Sequence, residues 1–365
     1  MRTAIFHDWI DPMGGAERVV IELARAIKAD IITLNLNQET IKNLECQDIN
    51  FINLGSTIKI PPLKQLQASY LFSRADFSEK YDFFIFSGCW AVFAAKNHKP
   101  NLYYCHAPVR VFYDLYQEYK KQLSSWKRPF YMIYIPIHKS WYENSIKHAD
   151  KIITNSKNTQ KRVRKYLNRE SIVINPPTNT NRFKYKPHKN FWFSVNRIYP
   201  HKRVEMQVEA FQKILDEKLI VVGGIVKGEG VEKYQKNLIK NAAKNIQFRG
   251  KISDKELREI YSECKGFITT SLDEDFGITP VEAMASGKPV IAPDEGGYKE
   301  TIINNKTGIL IKDINPDKIA RAIFTINKNP DKYKTACQNR AKKFDTRIFI
   351  RKIKKEIKNE NSNFS

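Results

Sequence analysis

Between Lys265 and Pro293 the chain carries a strand, a loop, a helix start and a second strand in succession, which commits this stretch to a βαβ unit of a parallel sheet. Lys265 to Leu272 (KGFITTSL) is an apolar, β-branched run rather than a strict alternation, as in a strand buried on both faces. Thr279 reads as the helix N-cap, Pro280 as the first helical residue, where its missing N–H costs nothing, and Glu282 stands three residues past the cap. Gly287 fits the helix stop, and Lys288 to Pro293 returns as a strand. Open parallel sheets bind ligands at the carboxyl edge of their strands, so functional residues are expected from Glu274 to Thr279. Two readings of Glu282 stay open, because a capping box with Thr279 would place it there merely to satisfy a backbone donor. Glu274 has no such duty: it lies beside the positive end of a helix, and Gly277 lets a ligand approach the backbone.

The run EDFGITPVEAMASGKPVIA, with seven residues between Glu274 and Glu282, resembles the donor-site signature of the retaining family 4 glycosyltransferases. That resemblance implies an α/β fold of the GT-B type: two Rossmann-like domains, a donor cleft between them, and a C-terminal helix crossing back to the N-domain. It also implies that Glu274 binds hydroxyls of the transferred sugar, that the backbone of Phe276, Gly277, Ile278 and Thr279 meets donor oxygens, and that Glu282 holds the ribose.

A chain of 365 residues, 42% of them hydrophobic, can bury two cores. No uninterrupted apolar run reaches the roughly 18 residues of a membrane-spanning helix. The start, MRTAIFHDWIDPMGG, has too short an apolar run for a signal peptide, and Asp8 interrupts it, so a cytoplasmic location is expected. Cys46, Cys89, Cys105, Cys264 and Cys337 are scattered without a CxxC pair and read as packing residues, not a disulfide framework or zinc site.

With 62 Lys and Arg against 39 Asp and Glu, the net charge of +23 seeks anions: nucleic acid, an anionic membrane surface or phosphorylated substrates. Lys157 to Lys189 carries ten Lys or Arg and one acid, Glu170, and Arg347 to Lys358 (RIFIRKIKKEIK) is basic with helical apolar spacing. Most of these charges read as solvated surface. A basic nucleic-acid-binding protein is the alternative that charge alone keeps open. No recognition helix, finger or RNP-like strand supports it, and no nucleic-acid partner is expected.

Thr3 to Trp9, a helix from Ala16 to Ile27 and a strand from Ile31 to Leu36 make the first α/β unit. Gly14 and Gly15 precede the helix, where free N–H groups and the dipole can hold phosphate; a tight turn explains them as well, and the loop is no GxGxxG fingerprint. The resemblance places this glycine loop near the donor diphosphate and acceptor. Tyr81 to Ser87 (YDFFIFS) and Asn101 to Cys105 (NLYYC) read as buried strands, the second delivering His106 to a sheet edge. A lone histidine is more often structural. Yet YCHAPVRVFYDLYQEY resembles the family's N-domain block, above all in mannosyltransferase-like members, which implies that His106 faces the reacting sugar. Arg110 and Tyr113 would line the acceptor cleft or support it. Trp126 to Tyr142 (WKRPFYMIYIPIHKSWY) has two readings: an internal helix, or an amphipathic surface meeting an anionic membrane, which would suit a lipid-linked acceptor. Lys151 to Asn155 leads to Ser156 as an N-cap and a basic helix ending near Leu167.

Asn175 to Asn190 (NPPTNTNRFKYKPHKN) has a linker composition, and the expected domains are 1–178 for the acceptor, 179–345 for the nucleotide sugar, and 346–365 for the returning helix and tail. Phe191 to Asn196 (FWFSVN) opens the second unit. Arg197 and Lys202 follow, five positions apart between strand and helix, where both cations can converge on a pyrophosphate. Ordinary surface charge is the alternative; the resemblance implies that both bind the donor diphosphate and leaves His201 and Arg203 without a required role. Leu219 to Gly224 reads as strand and turn, and GGIVKGEG departs from the family pattern. Asn245 to Gly250 is the next strand, then Ser253 caps a helix, with Lys251, Ile252 and Asp254 as candidates for the base. Gly296 and Gly297 read as a structural turn, and the last helices as Asp317 to Phe344 and Ile348 to Ile357.

Asp273 and Asp275 flank Glu274, but a metal needs convergent oxygen ligands, and Arg197 and Lys202 already neutralise a diphosphate. No cofactor and no metal are expected, with a nucleoside diphosphate sugar as the donor substrate. The resemblance implies retaining, metal-independent transfer of a hexose to a glycan or lipid-linked saccharide in polysaccharide or glycoconjugate synthesis. The N-domain block favours GDP-mannose, with UDP-sugars close behind. Peripheral contact with the inner face of a membrane stays open.

Overall fold

Short apolar runs become parallel strands in both halves of the chain, and they form two separate sheets. The computed structural model describes every residue except 11–13, 37–40, 42–45, 224–230 and 365. The GGIVKGEG departure therefore lies outside the described residues beyond Gly223. Cα packing divides the chain into one unit of Met1–Asn175 with Phe349–Ser365, and another of Pro176–Ile348.

In the first unit β1 (Thr3–Trp9), β2 (Asp30–Leu34), β3 (Phe51–Asn53), β4 (Phe83–Ser87), β5 (Asn101–Cys105), β6 (Lys151–Thr154) and β7 (Ile172–Val173) lie in the order β3-β2-β1-β4-β5-β6-β7. Every residue of β4 and β5 is buried, as a parallel sheet covered on both faces requires. Phe6 packs against Phe72, Phe84 and Phe86, and a buried ring of this kind carries roughly 3–5 kcal/mol. Around the sheet run α1 (Gly15–Ile27), α2 (Leu63–Arg74), α3 (Tyr116–Gln122), α4 (Arg128–Ile146) and α5 (Lys157–Leu167). Ser156 caps α5, its hydroxyl accepting the Thr159 N–H at 2.9 Å. The last helix, Thr346–Phe364, buries Phe349, Ile353 and Ile357 at i, i+4 and i+8. Its Glu356 and Glu360 both pair with Lys151 of β6.

The second unit holds β8 (Trp192–Val195), β9 (Leu219–Val222), β10 (Ile246–Phe248), β11 (Gly266–Ile268), β12 (Val290–Pro293) and β13 (Gly308–Ile311), in the order β10-β9-β8-β11-β12-β13. Its helices include α6 (Val204–Gln212), α7 (Glu232–Lys240), α8 (Asp254–Glu263) and α9 (Ile278–Ala285). Thr178 donates to Phe344 and accepts from Thr346, which ties it to the second unit and draws the division nearer the chain start than residue 178. The single helix expected from Asp317 to Phe344 is two, Pro316–Asn327 and Lys334–Ala341. Pro330 has no N–H to continue the ladder and bars Asn329 from helical geometry, so a turn of 3-10 helix intervenes.

Chain order reverses between β1 and β4 in the first sheet and between β8 and β11 in the second. Loops leaving neighbouring strands diverge at such a reversal and open a crevice at the carboxyl ends.

Candidate active site

At the reversal of the second sheet, β11 pairs with β8 through Phe267 and Phe193, so the loops that follow the two strands are neighbours. Lys202 Nζ donates to Glu274 Oε2 at 2.6 Å, bringing together two residues that are 72 positions apart. Burial alone would push the Glu274 carboxyl up. The charge and hydrogen bond of Lys202 outweigh it, with Ser271 and His201 adding to them, and hold the group at about 2. Glu274 is thus an anion at any ordinary pH. Arg197 is exposed on the loop leaving β8.

Arg203, left without a role by the sequence, clamps this arrangement. Its Nε donates to the Thr270 carbonyl at 2.7 Å, and its second amino group to Ser271 O at 3.3 Å and to Glu295. The Thr270 hydroxyl lies 2.8 and 2.9 Å from the carbonyls of Lys202 and Arg203 and accepts from Gln207 at 2.8 Å. The Leu272 N–H donates to His201 O. These bonds fix the backbone that carries Lys202 against the backbone that carries Glu274.

The helix start differs from the sequence expectation. Its N-cap is Gly277, at φ 88°, so Thr279 and Pro280 lie inside the first turn and no capping box forms. A β-branched residue cannot take that left-handed geometry, and a Cβ at Gly277 would stand 2.9 Å from the Tyr298 ring. Glu282 is buried in α9 and accepts the Tyr261 hydroxyl at 2.9 Å. Phe276 and Gly277 are buried, the Phe276 ring meeting Phe344 edge-on at 5.3 Å, while Ile278 and Thr279 are half-buried. Gly297 N–H donates to the Glu274 carbonyl at 2.7 Å, so the Gly296–Gly297 turn holds this loop from the other side. Ser253 caps α8, which places Asp254 at its first residue and leaves Lys251 exposed and Ile252 half-buried beyond the end of β10.

The first unit gathers its own cluster at the β1/β4 reversal. Ser87 Oγ and His106 Nε2 are 2.9 Å apart, and the His106 carbonyl accepts from Asn155 at 2.7 Å. Burial lowers the His106 imidazole to about 3; the nearby His7 adds to this and Glu17 opposes it. His7 itself donates from Nδ1 to the Ser87 carbonyl at 3.0 Å, and its Nε2 faces Glu17 Oε1 at 3.8 Å. Burial would lower this second imidazole, but the negative charges of Glu17 and Asp8, with the Ser87 carbonyl, raise it above its ordinary value. Asp8 receives the N–H groups of Cys89, Trp90 and Ala91 at 2.7 to 2.8 Å and anchors the loop after β4. Gly14 does not offer a free amide: its N–H donates to Glu17 Oε2 at 2.7 Å, because the glutamate three residues on reaches back to cap α1. Gly15 begins the helix.

Arg110 pairs with Asp114 at 2.7 Å, and the Tyr113 hydroxyl donates to Glu143 at 2.9 Å while its ring stacks on Tyr166 at 4.5 Å. Tyr113 lines a cavity of about 620 Å³ with Tyr116, Lys139 and Lys165. The buried Cys46, Cys105, Cys264 and Cys337 and half-buried Cys89 are free thiols.

One test follows from His106. A group held at about 3 is neutral between about pH 5 and pH 8, so the pH profile of turnover should keep its shape in a His106→Asn variant while its amplitude falls. A limb near the ordinary histidine value, lost in the variant, would show that the imidazolium acts instead.

Sequence reasoning missed Arg203, Thr270 and Glu295 in one unit and His7, Asp8 and Glu17 in the other. The signal for the last set was available: His7 and Asp8 end an otherwise apolar buried strand, where polar groups need a reason.

Residues 13–182 match the family described as Glycosyltransferase Family 4, and residues 177–344 the family described as Glycosyl transferases group 1. An uncharacterised glycosyltransferase of Methanocaldococcus jannaschii is 29% identical over 224 residues, 60% of this chain and 62% of that one, so the match spans under two thirds of that relative. The alpha-1,3/1,6-mannosyltransferase ALG2 of Dictyostelium discoideum is 26% identical over 376 residues, covering 85% of this chain and 86% of its own. Among solved structures, HepE of Anabaena in complex with UDP and glucose superposes with a TM-score of 0.80 at 20% identity, over 98% of this chain and all (100%) of that one, a likeness of fold. Two Rossmann-like units of parallel strands, each with a polar cluster at its reversal, make this a GT-B protein. The chain belongs to the family 4 glycosyltransferases.

Proposed function

We propose that the chain transfers a hexose, mannose in the first instance, from GDP-mannose to a hydroxyl of a glycan or lipid-linked saccharide, with retention at the anomeric carbon. The observation that carries this reading is the Lys202–Glu274 pair at the reversal of the second sheet, a cation and an ionised carboxylate side by side where a parallel sheet binds ligands. In the reaction the bond between the anomeric carbon and the diphosphate oxygen breaks and a glycosidic bond forms. The acceptor proton passes to the departing phosphate. Lys202, with Arg197 and the amides of the first turn of α9, stabilises that phosphate; Glu274 holds the sugar hydroxyls and Glu282 the ribose. Lys251, Ile252 and Asp254 meet the base, the Gly14–Gly15 loop lies near the diphosphate, and neutral His106 positions the sugar.

Mannose is favoured by the block around His106 and by the mannosyltransferase name of the relative that covers most of the chain. A UDP-sugar is the second reading, since the HepE structure contains UDP and glucose. We place the enzyme in the cytoplasm, independent of metal, in polysaccharide or glycoconjugate synthesis. Thermal shift with GDP, UDP and ADP separates the readings: at about 100 times Kd the preferred nucleotide adds roughly 2.7 kcal/mol, and GDP is expected to give the largest rise. A larger rise with UDP replaces the donor, no rise with any of the three overturns the site, and turnover lost in EDTA overturns metal independence.

A further inference from the structure

The outer face of α4 was left with two readings, and its side chains now separate them. Its inner face is fixed: Ile135, His138 and Tyr142 are buried. His138 Nε2 is hydrogen-bonded to Ser69 Oγ of α2 at 2.8 Å, its Nδ1 to the Tyr134 hydroxyl at 2.6 Å, and its ring stacks on Trp90 at 4.9 Å. With the rotation of the helix so determined, Phe130, Ile133 and Ile137, spaced i, i+3 and i+7, point to solvent at 69%, 65% and 65% exposure. Trp126, just ahead of the helix, is 68% exposed. An internal helix would not leave four such side chains bare. The neighbouring α2 behaves alike: Ile60 just before it and Tyr70 within it are exposed.

Cations outnumber acids around these residues, the acids Glu118 and Glu143 lying just outside the two stretches and Glu143 pairing with Lys139. Residues 58–74 carry Lys59, Lys64 and Arg74, residues 119–142 carry Lys120, Lys121, Lys127, Arg128 and Lys139, and neither stretch has an Asp or Glu. Apolar and aromatic prongs set among cations, on the convex surface of a helix, fit a lipid interface: the rings enter at headgroup depth and the long basic stems reach the phosphates. Among the described residues no helix is long and apolar enough to cross a membrane, so contact by this face would lie in the interface plane.

We propose that the face formed by Trp126, Phe130, Ile133 and Ile137, with Lys120, Lys121, Lys127 and Arg128 around it, docks on the surface of an anionic phospholipid bilayer. The proposal touches the functional reading only where a lipid-linked acceptor would be met at that surface; donor binding does not depend on it.

Flotation with phosphatidylcholine vesicles, with or without phosphatidylglycerol, tests it in the full chain. Wild type is expected to float with the anionic vesicles alone, less at high salt, and to show a blue shift of tryptophan emission that Trp126→Phe abolishes. The triple variant Phe130→Ser, Ile133→Ser, Ile137→Ser and the quadruple variant Lys120→Gln, Lys121→Gln, Lys127→Gln, Arg128→Gln should each lose vesicle binding about tenfold or more. Both should keep the nucleotide-induced thermal shift of wild type, which separates loss of docking from loss of fold or donor site. The proposal is overturned if the triple variant floats like wild type, if neutral vesicles bind equally, or if wild type is a dimer that the triple variant dissociates, since a second copy would then be the occupant.

Discussion

Replacing Glu274 by glutamine is expected to cut turnover about 10²- to 10³-fold, the size of effect seen when one preorganised electrostatic group leaves a reacting centre. Glutamine keeps the volume and removes the charge, so the change reports on electrostatics rather than packing. Lys202 loses the anion that now sits 2.6 Å from its ammonium group. Stability should shift as well, in a direction the titration dictates. The folded carboxyl titrates at about 2, below its ordinary 4.5, so its contribution is fully present above about 4.5 and disappears as pH falls toward 2. The acid limb of a melting-temperature profile should therefore be shallower in the variant. Unchanged turnover in Glu274→Gln would remove the loop 273–277 from the chemistry and the central functional reading with it.

Gly297→Ala is expected to be nearly as damaging, although the residue offers no functional group. A Cβ there would lie 2.4 Å from the Asp275 carbonyl oxygen and 2.5 Å from the Phe276 Cα, distances that backbone atoms cannot accept. Gly297 has φ −67°, which alanine adopts readily, so the collision alone is at issue. Relief must come from moving the loop that carries Glu274, whose carbonyl the Gly297 N–H now holds at 2.7 Å. Overpacking of this kind costs about 1–3 kcal/mol, and a displacement near 1 Å at a reacting group about 100-fold in rate. A variant that melts like wild type and turns over at the wild-type rate would show that the turn does not set the loop.

Those two substitutions sit on opposite sides of what a sequence reader sees. Glu274 stood out because a loop carboxylate with no capping duty lies there beside the positive end of a helix. Gly297 looked like any turn glycine, since nothing in GGY reveals that the backbone of residues 275 and 276 presses against it. The same contrast runs through the helix starts. Ser156 and Ser253 cap as read, because each hydroxyl needs only the amide three residues ahead, a local bond. Thr279 and Pro280 gave an equally good local signal and were overruled, because Gly277 takes a left-handed turn where a side chain would meet the Tyr298 ring, 21 residues away in sequence.

Local chemistry in the sequence determined the strands, most helices, the two α/β units and the carboxylate loop, since apolar runs, caps and prolines act over a few residues. Only the tertiary structure decided the partners: Arg203 with Glu295, Asp8 with the amides of residues 89–91, Glu282 with Tyr261, and the bare outer face of α4. Each of these depends on which strand ends become neighbours, and strand order in a parallel sheet is set by packing of the whole unit, not by any short stretch of chain.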